Sequence, residues 1–212
     1  MEGDQNTYFV TGATGFIGRN LVERLLERGG EVHVLVREGS RERLDELIER
    51  WEGQGRVHPV VGDLREPKLG VDPGWIEAHR GKIDHVFHLA AIYDMTAADE
   101  VNEALNVGGT RELVALANDL EPGVLHHVSS VAVAGAHKGF FREDMFDEGQ
   151  KLPSPYHRTK FESERLVREG ATVPWRVYRP AIVIGDSRTG EMDKIDGPYY
   201  FFKAIQKARD TL

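Results

Sequence analysis

Cysteine is absent from the 212 residues of this chain. Without thiols the protein has no disulfide bonds, no thiolate metal sites and no cysteine nucleophile. Long apolar runs are missing as well: none approaches the roughly 20 residues of a membrane-spanning helix, and the N-terminus has no charged region followed by an apolar one. The sequence therefore predicts a cytoplasmic protein with no transmembrane segment and no secretory signal.

Basic residues are fewer than acidic ones. Asp and Glu number 35 against 27 Lys and Arg, which leaves a formal net charge of −8. This balance provides no basic surface for nucleic acid or an anionic membrane. A hydrophobic content of 40% is enough for a single folded core. We therefore expect a globular protein whose partner is a small molecule and not a nucleic acid.

Histidine is more plentiful, with nine residues, and it is a common metal ligand. His85 and His88 lie at an odd offset in one predicted strand, so they point to opposite faces, as do the adjacent His126 and His127. No HExxH or comparable ligand spacing occurs, and the GxSxG signature of serine hydrolases is missing. The sequence predicts no metal site.

Short β-rich runs alternate along the chain with helical repeats, which is typical of a parallel sheet with helices on both faces. Gly29 and Gly30 are expected to stop the first helix, and Ser40 is expected to cap the second. The alternation predicts an α/β doubly wound fold. The predicted strands are 8–10, 32–36, 57–61, 83–90, 124–129 and 175–178, and the predicted helices begin near residues 17, 40, 100, 156 and 201.

The first strand runs into a glycine-rich turn, TGATGFIG, at residues 11–18. Glycines at this spacing allow a tight turn, close approach of a pyrophosphate and close packing of the next helix, whose N-terminus favours a negative charge. A turn of this kind between a strand and an amphipathic helix predicts a dinucleotide site in a Rossmann fold. The residues assigned to it are Gly12, Thr14, Gly15, Phe16, Ile17 and Gly18.

The end of the second strand indicates which dinucleotide is bound. Arg37 ends that strand and Arg41 follows, and arginines there pair with the 2′-phosphate of NADP. NADPH is therefore favoured over NADH, although the arginines could simply decorate a helix start and Glu38 keeps NAD open. Asp63 and Leu64 end the third strand, where the aspartate could meet the adenine or merely cap a turn.

A second motif, YHRTK, begins a later helix. Tyr156 and Lys160 are four residues apart and share one helix face, so the ammonium can lower the pKa of a tyrosine that would otherwise titrate near 10. Ser130, or its neighbour Ser129, ends the fifth strand at the edge where such sheets bind ligands. YxxxK also occurs by chance, and Ser-Ser after a strand can be a cap. The joint order favours a Ser/Tyr/Lys catalytic triad.

These motifs together resemble the extended short-chain dehydrogenase/reductase superfamily, and the resemblance covers essentially the whole chain. Segments 141–146 and 190–202 are, more narrowly, similar to the reductase domain of bacterial fatty acyl-CoA reductases. Ala134 stands where the superfamily pattern usually has a tyrosine. The matching motifs are TGATGFIG at 11–18, HLAA at 88–91, NVGGT at 106–110, VSSVAVAG at 128–135, YHRTK at 156–160 and RPAIVIG at 179–185.

The resemblance implies roles for particular residues. It assigns catalysis to Ser130, Tyr156 and Lys160, and it assigns Asn106 to the support of the lysine or of a bound water. Pro180 is expected near the nicotinamide. The residues expected to line the cofactor are, besides the glycine turn, Arg37, Arg41, Asp63, Leu64, Ala90, Ala91, Tyr156 and Lys160.

The function implied is NADPH-dependent reduction of a carbonyl, with a fatty acyl-CoA or fatty aldehyde as substrate. An aldehyde would give an alcohol, whereas a thioester would give a hemithioacetal that collapses to an aldehyde and free coenzyme A. Two alternatives stay open. One is a reductase or epimerase of the same superfamily acting on a hydroxysteroid, a flavonoid-like ketone or a nucleotide sugar. The other is a non-enzymatic NADP-binding sensor.

The predicted domain organisation is a dinucleotide-binding domain at 1–185 and the start of a substrate lobe at 186–212. That lobe looks incomplete, so we expect an additional domain of a longer chain or a homo-oligomer. Long segments at 135–155 and 186–198 are expected to act as lids. Their aromatic residues suit an acyl chain, although they could instead be lid or core packing, or an interface. These aromatic residues are Phe140, Phe141, Phe146, Tyr199, Tyr200, Phe201 and Phe202.

Overall fold

The computed structural model describes residues 5–90, 103–192 and 199–209. Within these ranges six parallel strands form one sheet in the order β3-β2-β1-β4-β5-β6. This is the order of a doubly wound dinucleotide-binding fold, so the predicted fold class is confirmed. The strands are β1 Thr7–Thr11, β2 Glu31–Val36, β3 Val57–Val61, β4 His85–His88, β5 Val124–Val128 and β6 Trp175–Tyr178.

Helices connect these strands. Short 3₁₀ turns occur at Glu38–Ser40 and Val131–Ala134, and Pro67–Gly70 is a turn with left-handed backbone at Lys68 and Leu69. A π-helical turn at Glu103–Gly108 leads into the next α-helix. The α-helices of the described ranges are α1 Phe16–Glu27, α2 Arg41–Arg50, α3 Pro73–His79, α4 Gly109–Leu120, α5 Pro155–Gly170 and α6 Tyr199–Arg209.

Side chains of β1 alternate between two hydrophobic clusters, one on each face of the sheet, because successive strand residues point in opposite directions. Tyr8 and Val10 pack with residues of α1 and α2, whereas Phe9 packs with residues of α3, α4 and α5. With helices against both faces, loops can approach the sheet only along its edges. The carboxyl edge, where each strand ends, carries the sequence motifs.

The stop of α1 follows the prediction. Gly29 has a positive φ of 82°, and its amide donates to the Leu26 carbonyl at 2.9 Å, while the Gly30 amide donates to the Leu25 carbonyl at 3.3 Å. This pair of bonds satisfies carbonyls that the helix end leaves free. Two glycines therefore end α1 and turn the chain into β2.

The predicted cap at Ser40 is wrong. Ser40 precedes α2 but makes no side-chain capping hydrogen bond, because it ends the 3₁₀ turn Glu38–Ser40 and its backbone lies at φ −114° and ψ 9°. A capping residue normally has an extended backbone that aims its side-chain oxygen at the first free amides. Here the Ser40 amide itself donates to the Arg37 carbonyl at 2.8 Å.

Three elements differ from the predicted ones. The fourth strand is shorter than the predicted 83–90. The helix predicted to begin near residue 100 starts outside the described residues, and from Glu103 it forms a π-helical turn before it continues to Leu120. Helix α3 has no counterpart among the predicted helices. Its start has a recognisable signal, since Asp72 accepts a hydrogen bond from the Trp75 amide at 2.9 Å and Pro73 occupies the first helical position.

The chain divides into two compact units, Met1–Arg179 and Pro180–Leu212. In the second unit the Tyr199 hydroxyl accepts from the Gly185 amide at 2.9 Å, and Asp186 accepts from two amides of its own turn. The predicted boundary after residue 185 remains a prediction. In the ranges that the structure describes, no helix has the length and apolar character needed to cross a membrane.

Candidate active site

The glycine turn lies where β1 and β4 part, which is the point at which the strand order reverses. Gly12 has φ +76°, and a Cβ there would stand 2.6 Å from the Ala90 amide nitrogen. A Cβ on Gly18 would collide with the Gly12 carbonyl. The turn is closed by the Gly15 amide, which donates to the Gly12 carbonyl at 3.1 Å. Gly12 and Gly18 therefore each have a local reason to be glycine.

Helix α1 begins directly after this turn with Gly15 at its N-cap. No side chain caps α1, and its first turn carries no acidic residue. The first amides of the helix are thus left to an external acceptor, and the helix dipole favours an anion there. Gly15 and Ile17 are exposed at this end, and Thr14 and Phe16 are partly buried. This geometry fits the pyrophosphate of a dinucleotide.

At the end of β2, Arg37 is exposed, whereas Arg41 pairs with Asp45 at 3.0 Å within α2. Asp63 follows β3 and is held by Arg65 through bonds of 2.9 and 2.7 Å. These bonds, with a smaller contribution from Arg37, lower the pKa of Asp63 to about 2. Arg65 is not among the residues predicted from the sequence, although its position two residues after the aspartate was a usable signal.

Asp63 also accepts from the Arg65 backbone amide at 3.0 Å, so it caps its own turn, which is one of the two roles weighed for it. Leu64 packs against Gly109 and joins the core cluster beside α4. The Ala90 amide donates to the Thr11 hydroxyl at 3.3 Å. The cofactor roles of Asp63, Leu64 and Ala90 stay predictions. Ala91 lies outside the described residues, and Pro180 begins the second compact unit.

Lys160 is the best-defined member of the predicted triad. Its side chain is buried, with 7% of the residue exposed, and its ammonium donates to the Val128 carbonyl at 3.3 Å. Burial lowers the pKa of this lysine to about 8. Since Val128 is the last residue of β5, α5 and β5 meet at the carboxyl edge of the sheet.

Tyr156 stands one helical turn before Lys160, in the first turn of α5, and is partly buried. The start of this helix is well specified. The Ser154 hydroxyl accepts from the His157 amide at 3.5 Å and also contacts the His157 ring nitrogen at 2.7 Å, and Pro155 opens the helix. Capping and proline thereby set where α5 begins and where Tyr156 lies.

Ser129 and Ser130 have different surroundings, which distinguishes the two serines that the sequence left open. The Ser129 hydroxyl donates to the buried Glu164 carboxylate at 2.7 Å. The Ser130 oxygen accepts from the Ala132 amide at 3.2 Å. Because Ser130 acts as an acceptor in this bond, its hydroxyl hydrogen is available to a ligand. The hydroxyl hydrogen of Ser129 is instead donated to Glu164.

Asn106 is buried within the π-helical turn. Its backbone carbonyl accepts from the Thr110 hydroxyl at 2.6 Å and from the Ser163 hydroxyl at 2.8 Å. Its side-chain amide donates to the Thr159 hydroxyl at 3.5 Å. π-Helical turns are frequent at functional sites. Asn106 therefore lies against α5 beside Thr159, the residue that precedes Lys160, and its predicted support of the lysine stays a prediction.

His88 joins the glycine turn to this network. Its ring contacts the Thr11 hydroxyl at 2.8 Å and the Thr110 hydroxyl at 3.1 Å. Because Thr110 donates to the Asn106 carbonyl, it accepts from His88, which is then a neutral ring with its proton on Nε2. Burial first, and then the neighbouring His127 and Lys160, lower the pKa of His88 well below its usual value.

The histidines of β4 and β5 lie on opposite faces, as predicted. The His85 and His126 rings contact each other at 3.1 Å on one face, and His88 and His127 stack on the other with ring centroids 5.5 Å apart. Among the described residues, no group of three or more His, Asp or Glu side chains has the arrangement of a metal site. These rings pack within the sheet layers.

The fold is that of the extended short-chain dehydrogenase/reductase superfamily. The chain matches the NAD_binding_4 family, described as Male sterility protein, over residues 10–210, and it belongs to that family. The predicted superfamily is therefore confirmed.

Similar proteins include reductase domains of large synthetases. The terminal R domain from the myxalamid PKS-NRPS biosynthetic pathway superimposes with a TM-score of 0.83 at 31% identity, over 98% of this chain and 57% of that one. A linear gramicidin synthase protein of Brevibacillus parabrevis is 31% identical over 92% of this chain and 4% of its own length. Aldehyde reductase lnaA of Aspergillus flavus is 32% identical over 89% of this chain and 20% of its own length. The chain thus spans only part of each relative.

Proposed function

We propose that the protein is an NADPH-dependent reductase that acts on a long-chain fatty acyl-CoA or fatty aldehyde. The observation that carries the proposal is the buried Lys160 ammonium. It is held by the Val128 carbonyl, one helical turn from Tyr156 and at the end of the strand that leads to Ser130. These groups lie at the sheet edge that also carries the glycine turn.

The residues at the glycine turn fit a dinucleotide. The uncapped amides of α1 suit its pyrophosphate, and Gly12 lets the turn pack against the Ala90 backbone, where a side chain would clash. Arg37 is exposed at the end of β2, where a 2′-phosphate would lie, and this supports NADPH over NADH. A bound NADPH would supply the hydride that reduces the substrate carbonyl.

The remaining steps belong to the protein. The Ser130 hydroxyl, already accepting from the Ala132 amide, donates its hydrogen to the substrate carbonyl oxygen. Tyr156 gives its proton to that oxygen as negative charge develops on it, and the Lys160 cation stabilises the tyrosinate that results. Burial keeps the lysine from being screened by water, which strengthens this effect.

The substrate class has separate support. One of the similar proteins is, by name, an aldehyde reductase, and that name suits carbonyl reduction. Phe140 is 93% exposed and available to an acyl chain. Phe146, by contrast, stacks on Phe161 at 4.4 Å, and Phe141 lies under the Arg179 guanidinium at 5.3 Å, so both pack within the first unit. Of these three rings, Phe140 is the best candidate for contact with the substrate.

The test is Tyr156→Phe in the full-length protein, assayed with NADPH against long-chain acyl-CoA and long-chain aldehyde. We expect kcat to fall by roughly 10²–10⁴-fold, the usual contribution of a general acid, with NADPH binding retained. Tyr178→Phe is the matched control. Tyr178 lies in β6, and its hydroxyl contacts the His126 ring at 2.9 Å, so the same chemical change is made outside the proposed triad. Unchanged kcat in folded Tyr156→Phe would refute the mechanism, and a wild-type preference for NADH would refute the cofactor assignment.

A further inference from the structure

Glu164 is a carboxylate with no exposed surface, one helical turn beyond Lys160 on α5. An ionised carboxylate in such a position is costly unless it is fully paired. Nothing in the mechanism above uses it. Because it is buried four residues after a proposed catalytic lysine, the groups that it binds are of interest.

The Glu164 carboxylate accepts four short hydrogen bonds. Arg179 binds both of its oxygens, at 2.6 and 3.1 Å, in the two-pronged geometry that guanidinium favours. Arg168 donates at 2.8 Å from the next turn of α5, and the Ser129 hydroxyl donates at 2.7 Å. Every contact comes from a donor, so the charge is well compensated.

The charge state of Glu164 follows from these contacts. Burial by itself would raise its pKa, but the hydrogen bonds from Arg179, Ser129 and Arg168 outweigh burial and hold the pKa below its usual value. The carboxylate is therefore ionised at neutral pH. An ionised group accepts stronger hydrogen bonds than a neutral one.

These bonds join three elements of the sheet edge. Ser129 follows β5 and immediately precedes Ser130, whereas Arg179 follows β6. Glu164 ties both to α5, which carries Tyr156 and Lys160. The arrangement therefore fixes the serine side of the triad relative to the helix side.

The same cluster reaches the segment after the Val131–Ala134 turn. Arg179 donates to the Arg142 carbonyl at 3.4 Å, and the Arg168 guanidinium lies 4.6 Å from the Phe146 ring centre. The stretch from Arg142 to Phe146 is thus anchored to the cluster around Glu164. This stretch and Ser129, the neighbour of Ser130, therefore contact the same buried cluster.

We propose that Glu164 is a positioning residue of the active site: through Ser129 and Arg179 it holds Ser130 in register with Tyr156 and Lys160. The inference rests on the proposed reductase function. It predicts that the main effect falls on turnover and not on cofactor affinity, because Glu164 bonds to the serine side of the triad and none of its four hydrogen bonds involves the glycine turn proposed to hold the pyrophosphate. A displacement of catalytic groups by a fraction of an ångström to 1 Å can cost up to about 100-fold in rate.

The test compares Glu164→Gln with Glu169→Gln in the full-length protein, as the same chemical change on the same helix. Glu169 is exposed and forms only a 3.9 Å pair with Arg165. Turnover is measured per NADPH-binding site, so unfolded molecules do not count. We expect kcat to fall on the order of 10- to 100-fold in Glu164→Gln, with the Kd for NADPH within about twofold of wild type.

A second variant, Ser129→Ala, removes one hydrogen bond and leaves both arginine pairs, so it tests the idea even if Glu164→Gln fails to fold. We expect a smaller fall in kcat, about three- to tenfold, again with NADPH binding unchanged. The inference is wrong if Ser129→Ala keeps wild-type kcat per site, or if kcat and NADPH affinity fall together.

Tyr156→Phe is included to separate this inference from the proposed function. If Tyr156→Phe retains activity, the proposed function fails, and the inference is then judged by amide hydrogen exchange alone. Exchange in residues 129–134 should be faster in Glu164→Gln than in Glu169→Gln if Glu164 holds this turn. Equal exchange in the two variants would overturn the positioning role.

Discussion

At the scale of single residues, glycine has two separate uses in the dinucleotide turn. Gly12 is needed for its left-handed backbone and for its contact with the Ala90 backbone, whereas Gly18 is needed because a side chain would meet the Gly12 carbonyl. The first reason combines backbone strain with crowding, and the second is crowding alone. A sequence motif can indicate the need for a left-handed backbone, but it does not show which atoms would crowd a side chain.

Replacing Gly12 by alanine should therefore lower the free energy of unfolding more than replacing Gly29 does. Gly29 has a similar φ of +82°, but a new Cβ there would have no atom within 4 Å. Gly29→Ala should lose roughly 1–2 kcal/mol of unfolding free energy from backbone strain and keep NADPH binding. Gly12→Ala should lose more stability and bind NADPH more weakly. Urea unfolding and NADPH titration measure both effects, and equal behaviour of the two variants would contradict the close approach.

Ser129 and Ser130 illustrate how far a motif can be interpreted. Both serines follow the same strand, and the sequence favours one of them without excluding the other. The structure distinguishes them by a contact with Glu164, which is 35 residues away in sequence. No local pattern contains that information, because the partner belongs to another element.

At the scale of elements, most helices and strands follow from periodicity, but their ends depend on particular side chains. Strands β3 and β6 have the predicted bounds, since both are short runs of β-forming residues between turn signals. Helix α3 escapes a periodicity argument because it is only seven residues long. A capping aspartate followed by proline was the signal available, whereas Ser40 offered a cap that the backbone does not use.

This contrast gives a test of capping. Asp72→Ala should lower the unfolding free energy by about 1 kcal/mol, because the Trp75 amide loses its acceptor. Ser40→Ala should change it by much less, since the Ser40 side chain caps nothing. Urea unfolding of the two variants beside wild type decides the matter. A loss in Ser40→Ala as large as in Asp72→Ala would show that the hydroxyl does cap α2.

At the scale of the whole molecule, the parallel sheet buries histidines that must stay neutral. Burial is the largest cause that lowers the pKa of His33 and His126 to about 4 and that of His127 to about 3. The His127 ring nitrogens have no hydrogen-bond partner among the described residues. Protonating any of these rings in the folded state would place a charge inside the protein.

Stability should therefore fall as the pH drops below 6.5, where unfolded histidines bind protons and these folded ones do not. A histidine whose pKa is lowered by about 2.5 costs on the order of 3 kcal/mol once the pH reaches its folded pKa. His127→Leu should make the unfolding free energy less dependent on pH between 6.5 and 4. Urea unfolding at pH 7, 6 and 5 measures this slope, and an unchanged slope would mean that His127 is not responsible.

The sequence by itself determined the order of the strands and of the described helices other than α3, the glycine turn and the spacing of Tyr156 and Lys160. These are local features, set by periodicity and by backbone requirements within a few residues. The tertiary structure alone decided that Glu164 takes the hydrogen of Ser129 and that Lys160 is buried against Val128. Burial and most of these partners depend on elements that meet only when the sheet closes, so their chemistry is a property of the fold.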